Sequence, residues 1–138
     1  MILLDTSGLL AALDSAQRTH AEAAASLASA SPPLLLSPFV LAELDYLLAT
    51  RVGHRARTSM LSEVERGALT LEHFSTVDLR EALAIIQRHA DLGVSLADAS
   101  IVVLATRHKI QEVLTLDERH FRTLAANGKP FRLIPADA

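Results

Sequence analysis

The sequence predicts an α/β fold, an α/β/α sandwich in which helices flank a short, mostly parallel central sheet. Three observations carry this. Short apolar triplets, Ile2 to Leu4 and Leu34 to Leu36, alternate with longer segments of helical periodicity. Each triplet is apolar without alternation, as expected of a strand buried on both faces. The strand candidates also end on polar residues, Asp5 and Asp117 above all. Ligand sites in parallel sheets lie beyond the carboxyl ends of the strands, so this end of the sheet is where function is expected.

The elements follow in order. The first strand stops at Asp5, and the hydroxyls of Thr6 and Ser7 can cap the helix implied by Gly8 to Leu13. A second helix runs from about Thr19 to Ala30 and is ended by Ser31, Pro32 and Pro33. Leu34 to Leu36 is the second strand. Ser37 followed by Pro38 sets a hydroxyl cap before a proline at the first helical position, opening a helix through Phe39 to Ala49. Gly53 separates it from a helix over roughly His54 to Arg66. Leu69 to Phe74 alternates with the period of a strand. Ser75 and Asp78 have the spacing of a capping box and open a helix reaching about Ala90. Asp91, Leu92 and Gly93 break the chain before the helix of Ser95 to Ala105, and strands are expected at Glu112 to Asp117 and Phe131 to Pro135. No repeat, low-complexity tract or linker interrupts the series, so one domain over residues 1–138 is expected.

Composition narrows the classes of function. Half the residues are hydrophobic and mean hydropathy is +0.28. The longest apolar runs nevertheless fall short of the roughly 18 residues that cross a bilayer, so no membrane association is expected. The N-terminus lacks a basic region and carries Asp5 within its apolar run, which argues against a secretory signal; a cytoplasmic location is expected. With no cysteine, disulfides, zinc-thiolate sites and cysteine nucleophiles are excluded, and any metal must be held by oxygen or imidazole. A net charge of −3 is not the balance of a protein that holds nucleic acid by overall charge. A bound divalent cation with local arginines would have to do so. The apolar composition also points to surface covered by a partner or a second copy.

The acids are the chemically informative residues. Asp5 can accept turn amides. Glu43 falls beside Leu47 and near Val40, on the margin of the face formed by Val40, Leu44, Leu47 and Leu48. Asp45, on the opposite margin, reads as a solvated charge or a local ion pair. Asp98 stands three residues after Ser95 and can complete a capping box. Ile101, Val102, Val103 and Leu104 fan out on nearly every side of that helix, so it is buried most of the way round. A carboxylate there must be paired, hydrogen-bonded or metal-bound, and one oxygen can take an amide while the other faces a cation. Asp117 can cap the turn at Glu118 to Phe121. Four carboxylates gathered by the fold repel one another unless cations lie between them. An all-oxygen acidic pocket selects Mg²⁺ or Mn²⁺ over zinc, and one or two such ions can promote phosphodiester hydrolysis.

In their order and spacing, "LLDTSGLLA", "SPFVLAELDYLL", "SLADASIVVLA" and "VLTLDERHF" resemble the PIN-domain ribonucleases, in particular the VapC toxins of bacterial toxin-antitoxin pairs. The resemblance covers nearly the whole chain. It implies that Asp5, Glu43, Asp98 and Asp117 are an acidic quartet binding Mg²⁺ or Mn²⁺, with Thr6, Ser7 or Thr115 as supporting hydroxyls. It also implies endonucleolytic RNA cleavage by metal-activated water, a homodimer, and neutralisation by a cognate VapB-like antitoxin. An apolar groove formed partly by the helix of Glu43 and the region from His54 to Arg66 would receive the antitoxin.

Among the cations, Arg119 and Arg122 are the candidates by position for RNA-phosphate contacts. Arg51, Arg55, Arg57 and Arg66 read as solvated faces, and His108 and His120 as surface residues that the mechanism does not require. A haloacid-dehalogenase-type phosphatase would need a second aspartate where Ser7 stands. The acid layout of receiver domains and the glycine-rich loop of P-loop hydrolases are absent. The remaining alternative is a binding module that keeps this fold with little or no nuclease activity.

Overall fold

Leu3 and Leu4 are fully buried, and they place β1 (Ile2–Leu4) at the centre of a five-stranded parallel sheet. The computed structural model describes residues 1–138. The strand order is β3-β2-β1-β4-β7, where β2 is Leu34–Leu36, β3 is Thr70–Leu71, β4 is Glu112–Leu114 and β7 is Arg132–Ile134. Helices flank the sheet: α1 (Thr6–Leu13), α2 (His20–Ser29), α3 (Pro38–Arg51), α4 (His54–Glu65), α5 (Thr76–Arg88), α6 (Leu96–His108) and the short α7 (Glu118–Phe121). The chain is therefore the α/β/α sandwich that its pattern predicts. Its principal core is a cluster of 30 buried residues running from Ile2 to Leu133, and no helix is long and apolar enough to cross a membrane.

The helix starts show how local chemistry sets the elements. Ser37 accepts the Phe39 amide at 3.1 Å with Pro38 behind it, while Ser75 with Asp78 and Ser95 with Asp98 both form full capping boxes. Several boundaries are shorter than expected. The alternating stretch 69–74 pairs only at Thr70–Leu71, because it forms the sheet edge and leaves the ladder after the Glu72 amide reaches Leu36 O. The strand expected at 112–117 ends at Leu114, and the helix expected to reach Ala90 ends at Arg88 before a 3₁₀ turn at Ala90–Leu92. An antiparallel hairpin of β5 (Ala125–Ala126) and β6 (Lys129–Pro130) adds to the elements the sequence pattern predicts. Its signal is the Asn127-Gly128 pair, whose φ values of 55° and 71° are those a two-residue hairpin turn demands.

The sheet order reverses at β1, with β2 on one side and β4 on the other, and Leu4 is in register with Leu114. The residues just beyond, Asp5 and Thr115, thus leave adjacent strands at a topological switch point, where open α/β sheets form their ligand crevice. Gly8 permits this geometry. A Cβ there would lie 2.7 Å from the Leu114 carbonyl carbon and 2.9 Å from its Cγ, so only glycine lets α1 pack on the end of β4. Gly8→Ala is expected to cost about 1–3 kcal/mol or more, read as a lower urea midpoint at unchanged slope.

Candidate active site

Asp5 is the N-cap residue of α1 and only 4% exposed. Its Oδ2 accepts hydrogen bonds from Thr115 Oγ1 at 2.6 Å and Ser7 Oγ at 2.8 Å. The same hydroxyl oxygens accept backbone amides from the β4 exit: Leu116 N–H to Ser7 and Asp117 N–H to Thr115, each at 2.9 Å. Asp5 therefore holds the loop that carries Asp117. Burial is the largest cause that lifts its pKa to about 6, opposed by the two hydroxyls and assisted by the nearby charge of Asp98.

Asp98 is buried in the first turn of α6. Its amide donates to Ser95 Oγ at 3.0 Å, and its Oδ2 accepts the Ser95 amide at 3.3 Å. Burial again dominates and raises its pKa, with Asp117 adding to the rise while the Ser95 amide and His120 oppose it. Asp117 caps α7 by accepting the His120 amide at 3.0 Å. Glu43 is exposed on α3. A buried relay fixes that helix against α6: Ser37 and Ser100 hydroxyls lie 2.6 Å apart, and Ser100 donates to Ala97 O at 2.6 Å.

Asp5, Glu43, Asp98 and Asp117 line one cavity of about 290 Å³ together with Thr6, Ser7, Leu10, Leu47 and Arg51. Thr115 is buried and does not line it, but reaches Asp5 from the β4 exit. A cation fits this donor set on two grounds. The wall carries four carboxylates, two of them buried with raised pKa values. Thr6 Oγ1 is a buried oxygen with no hydrogen-bond partner.

The basic residues are arranged differently from the sequence reading. His120 is not a surface residue: its Nδ1 lies 2.6 Å from Asp117 Oδ2 and 3.3 Å from Asp98 Oδ2, and its Nε2 lies 3.1 Å from Leu92 O. Asp98, Asp117 and His120 offer donor atoms that all lie within 4.8 Å of one another, close enough to hold one metal ion. His108 is half-buried and paired with Glu72 beside the sheet edge. Arg122 is engaged by Asp137 at 2.7 Å and Glu118 at 2.9 Å, which leaves its guanidinium poorly placed for RNA. Arg119 is exposed on α7 and does not line the cavity. Arg51, read as a solvated face, does line it. Asp45 forms the local ion pair expected of it, with Arg57 Nε at 2.6 Å.

A parallel sheet whose switch point opens on convergent carboxylates is the architecture of the PIN domain, and the chain belongs to the PIN domain family, whose profile matches residues 2–127. Among individual relatives, it is 41% identical over 135 residues to Ribonuclease VapC26 of Mycobacterium tuberculosis, spanning 97% of this chain and 100% of that protein. Its structure is similar to that of M. tuberculosis VapC20, described as a sarcin-ricin loop cleaving toxin. There the TM-score is 0.79 and the identity 27%, covering 85% of this chain and 90% of that one. FitAcB of Neisseria gonorrhoeae shares the fold, with a TM-score of 0.60 and 23% identity over 88% of this chain and 91% of that one.

Proposed function

We propose that the chain is a metal-dependent endoribonuclease that acts as the toxin of a type II toxin-antitoxin pair. The observation that carries this is the convergence of Asp5, Glu43, Asp98 and Asp117 on one cavity at the switch point of the sheet. These acids would hold Mg²⁺ or Mn²⁺. Such an ion, when bound, activates water for attack on the phosphodiester and stabilises the leaving oxygen.

The chain's own residues set the geometry for that reaction. Thr115 and Ser7 fix Asp5 and, through backbone amides, the Asp117 loop. The Ser95 box fixes Asp98, and His120 bridges Asp98 to Asp117. The buried carboxylates are kept in a setting where a divalent charge offsets the cost of their ionisation. An imidazole beside carboxylates also suits Mn²⁺. The partners of this reading are an RNA substrate, a VapB-like antitoxin and a second copy of the chain, and its setting is the cytoplasm.

The test is cleavage of total RNA by the purified chain with Mg²⁺, with Mn²⁺ and with EDTA. Cleavage is expected with either ion and none with EDTA. Metal-independent cleavage would overturn the mechanism, and no cleavage under any condition would leave the binding module.

A further inference from the structure

We propose that Arg51 binds an RNA backbone phosphate flanking the one that is cut, and so draws a polyanion into an otherwise acidic cavity. The proposal rests on the ribonuclease reading above. Arg51 is the sole cation lining the cavity of the four acids. Arg57, Arg107, Arg122 and Arg132 are held in ion pairs. Arg51 is exposed and pairs with no carboxylate, so it does not neutralise the cluster by contact.

Its position follows from α3. Glu43, Leu47 and Arg51 are spaced four apart and lie on one stripe of that helix, and all three line the cavity. At ~1.5 Å rise per residue, Arg51 stands ~12 Å along the axis from Glu43, at the rim of the acidic site. That offset suits a neighbouring phosphate on a strand whose scissile group lies among the carboxylates. The helix dipole favours a cation anywhere around the last turn, so it does not explain why this one faces the cavity. Electrostatics does: a net charge of −3 and a carboxylate-lined wall repel RNA, and a free guanidinium supplies a planar fork for phosphate oxygens.

The test uses Arg51→Ala and Arg51→Lys, both at an exposed site where folding is expected to persist. Each is made in an Asp98→Asn background, and binding to a short fluorescein-labelled oligouridylate is followed by anisotropy over a KCl series at fixed Mg²⁺. Arg51→Ala is expected to weaken binding about tenfold and to reduce the slope of log K against log salt by about 0.7, the value for one lost phosphate contact on a single strand. Arg51→Lys keeps most of the slope. In the chain with Asp98 intact, Arg51→Ala is expected to raise KM for RNA cleavage about tenfold with little change in kcat, the signature of lost uniform binding. Unchanged affinity and slope, or a loss confined to kcat, would overturn the role of Arg51. A chain with Arg51 and Asp98 intact that neither binds nor cuts RNA would instead overturn the ribonuclease reading itself.

Discussion

Asp98→Asn is expected to lower RNA cleavage by roughly 10²–10³-fold or more while leaving the fold intact. Asparagine matches the size of aspartate and keeps an oxygen that can accept the Ser95 amide, so the helix cap survives. What is lost is a negative charge close to Asp117 and Asp5. Because burial already raises the pKa of Asp98, removing its charge relieves a desolvation cost, and the thermal midpoint of the metal-free chain is expected to hold or rise. Cleavage assays and a melting curve on the same preparation separate the two effects. Undiminished cleavage by a folded variant would remove Asp98 from the mechanism.

The second large effect concerns Asp5 and pH. Its pKa stands at about 6 in the folded chain against 3.8 for an ordinary aspartate, chiefly because of burial. Between those values the folded state binds more protons than the unfolded one, so stability falls as pH rises through the window. At ~1.36 kcal/mol per unit, the loss from this group alone is about 3 kcal/mol on reaching neutral pH without metal. The raised pKa of Asp98 acts in the same direction. Asp78 and Asp137 act oppositely: their lowered pKa values contribute stability present above the ordinary aspartate range and lost only at lower pH.

Asp5→Asn is therefore expected to raise metal-free stability at neutral pH by about 1–3 kcal/mol and to flatten its decline above about pH 4, while abolishing cleavage. Denaturant unfolding at a series of pH values in EDTA reads this out. A destabilised variant, or a parent chain that gains stability between about pH 4 and pH 6, would contradict the burial argument.

The parts legible in the sequence are those set by local chemistry. Ser37 with Pro38, Ser75 with Asp78 and Ser95 with Asp98 open the helices they imply, because a cap needs only residues within one turn. The apolar triplets of β1 and β2 and the apolar run into Asp117 place the sheet for a similar reason: continuous apolarity reports burial on both faces. Strand ends were less legible, since the stretch 69–74 alternates beyond the two residues that find a partner.

At the site, the positions of Asp5 and Asp117 follow from strand exits. The setting of His120 depends on Leu92 O, 28 residues away, and on Asp98, neither of which a local pattern reports. Arg51 was legible in principle, through its spacing of eight from Glu43 on one helix stripe. Proximity to Asp117 in sequence points to Arg119 and Arg122 instead, but Arg122 is held both by Glu118, four residues before it, and by Asp137, 15 residues further on.

The carboxylates of this cavity are expected to hold a divalent cation together. Isothermal titration of Mn²⁺ into the metal-free chain and into Asp98→Asn, at neutral pH, measures it without reference to any RNA. The expected result is saturable binding by the parent chain and an affinity at least about tenfold weaker in the variant. Equal binding by both, or no saturable binding by the parent, would contradict it.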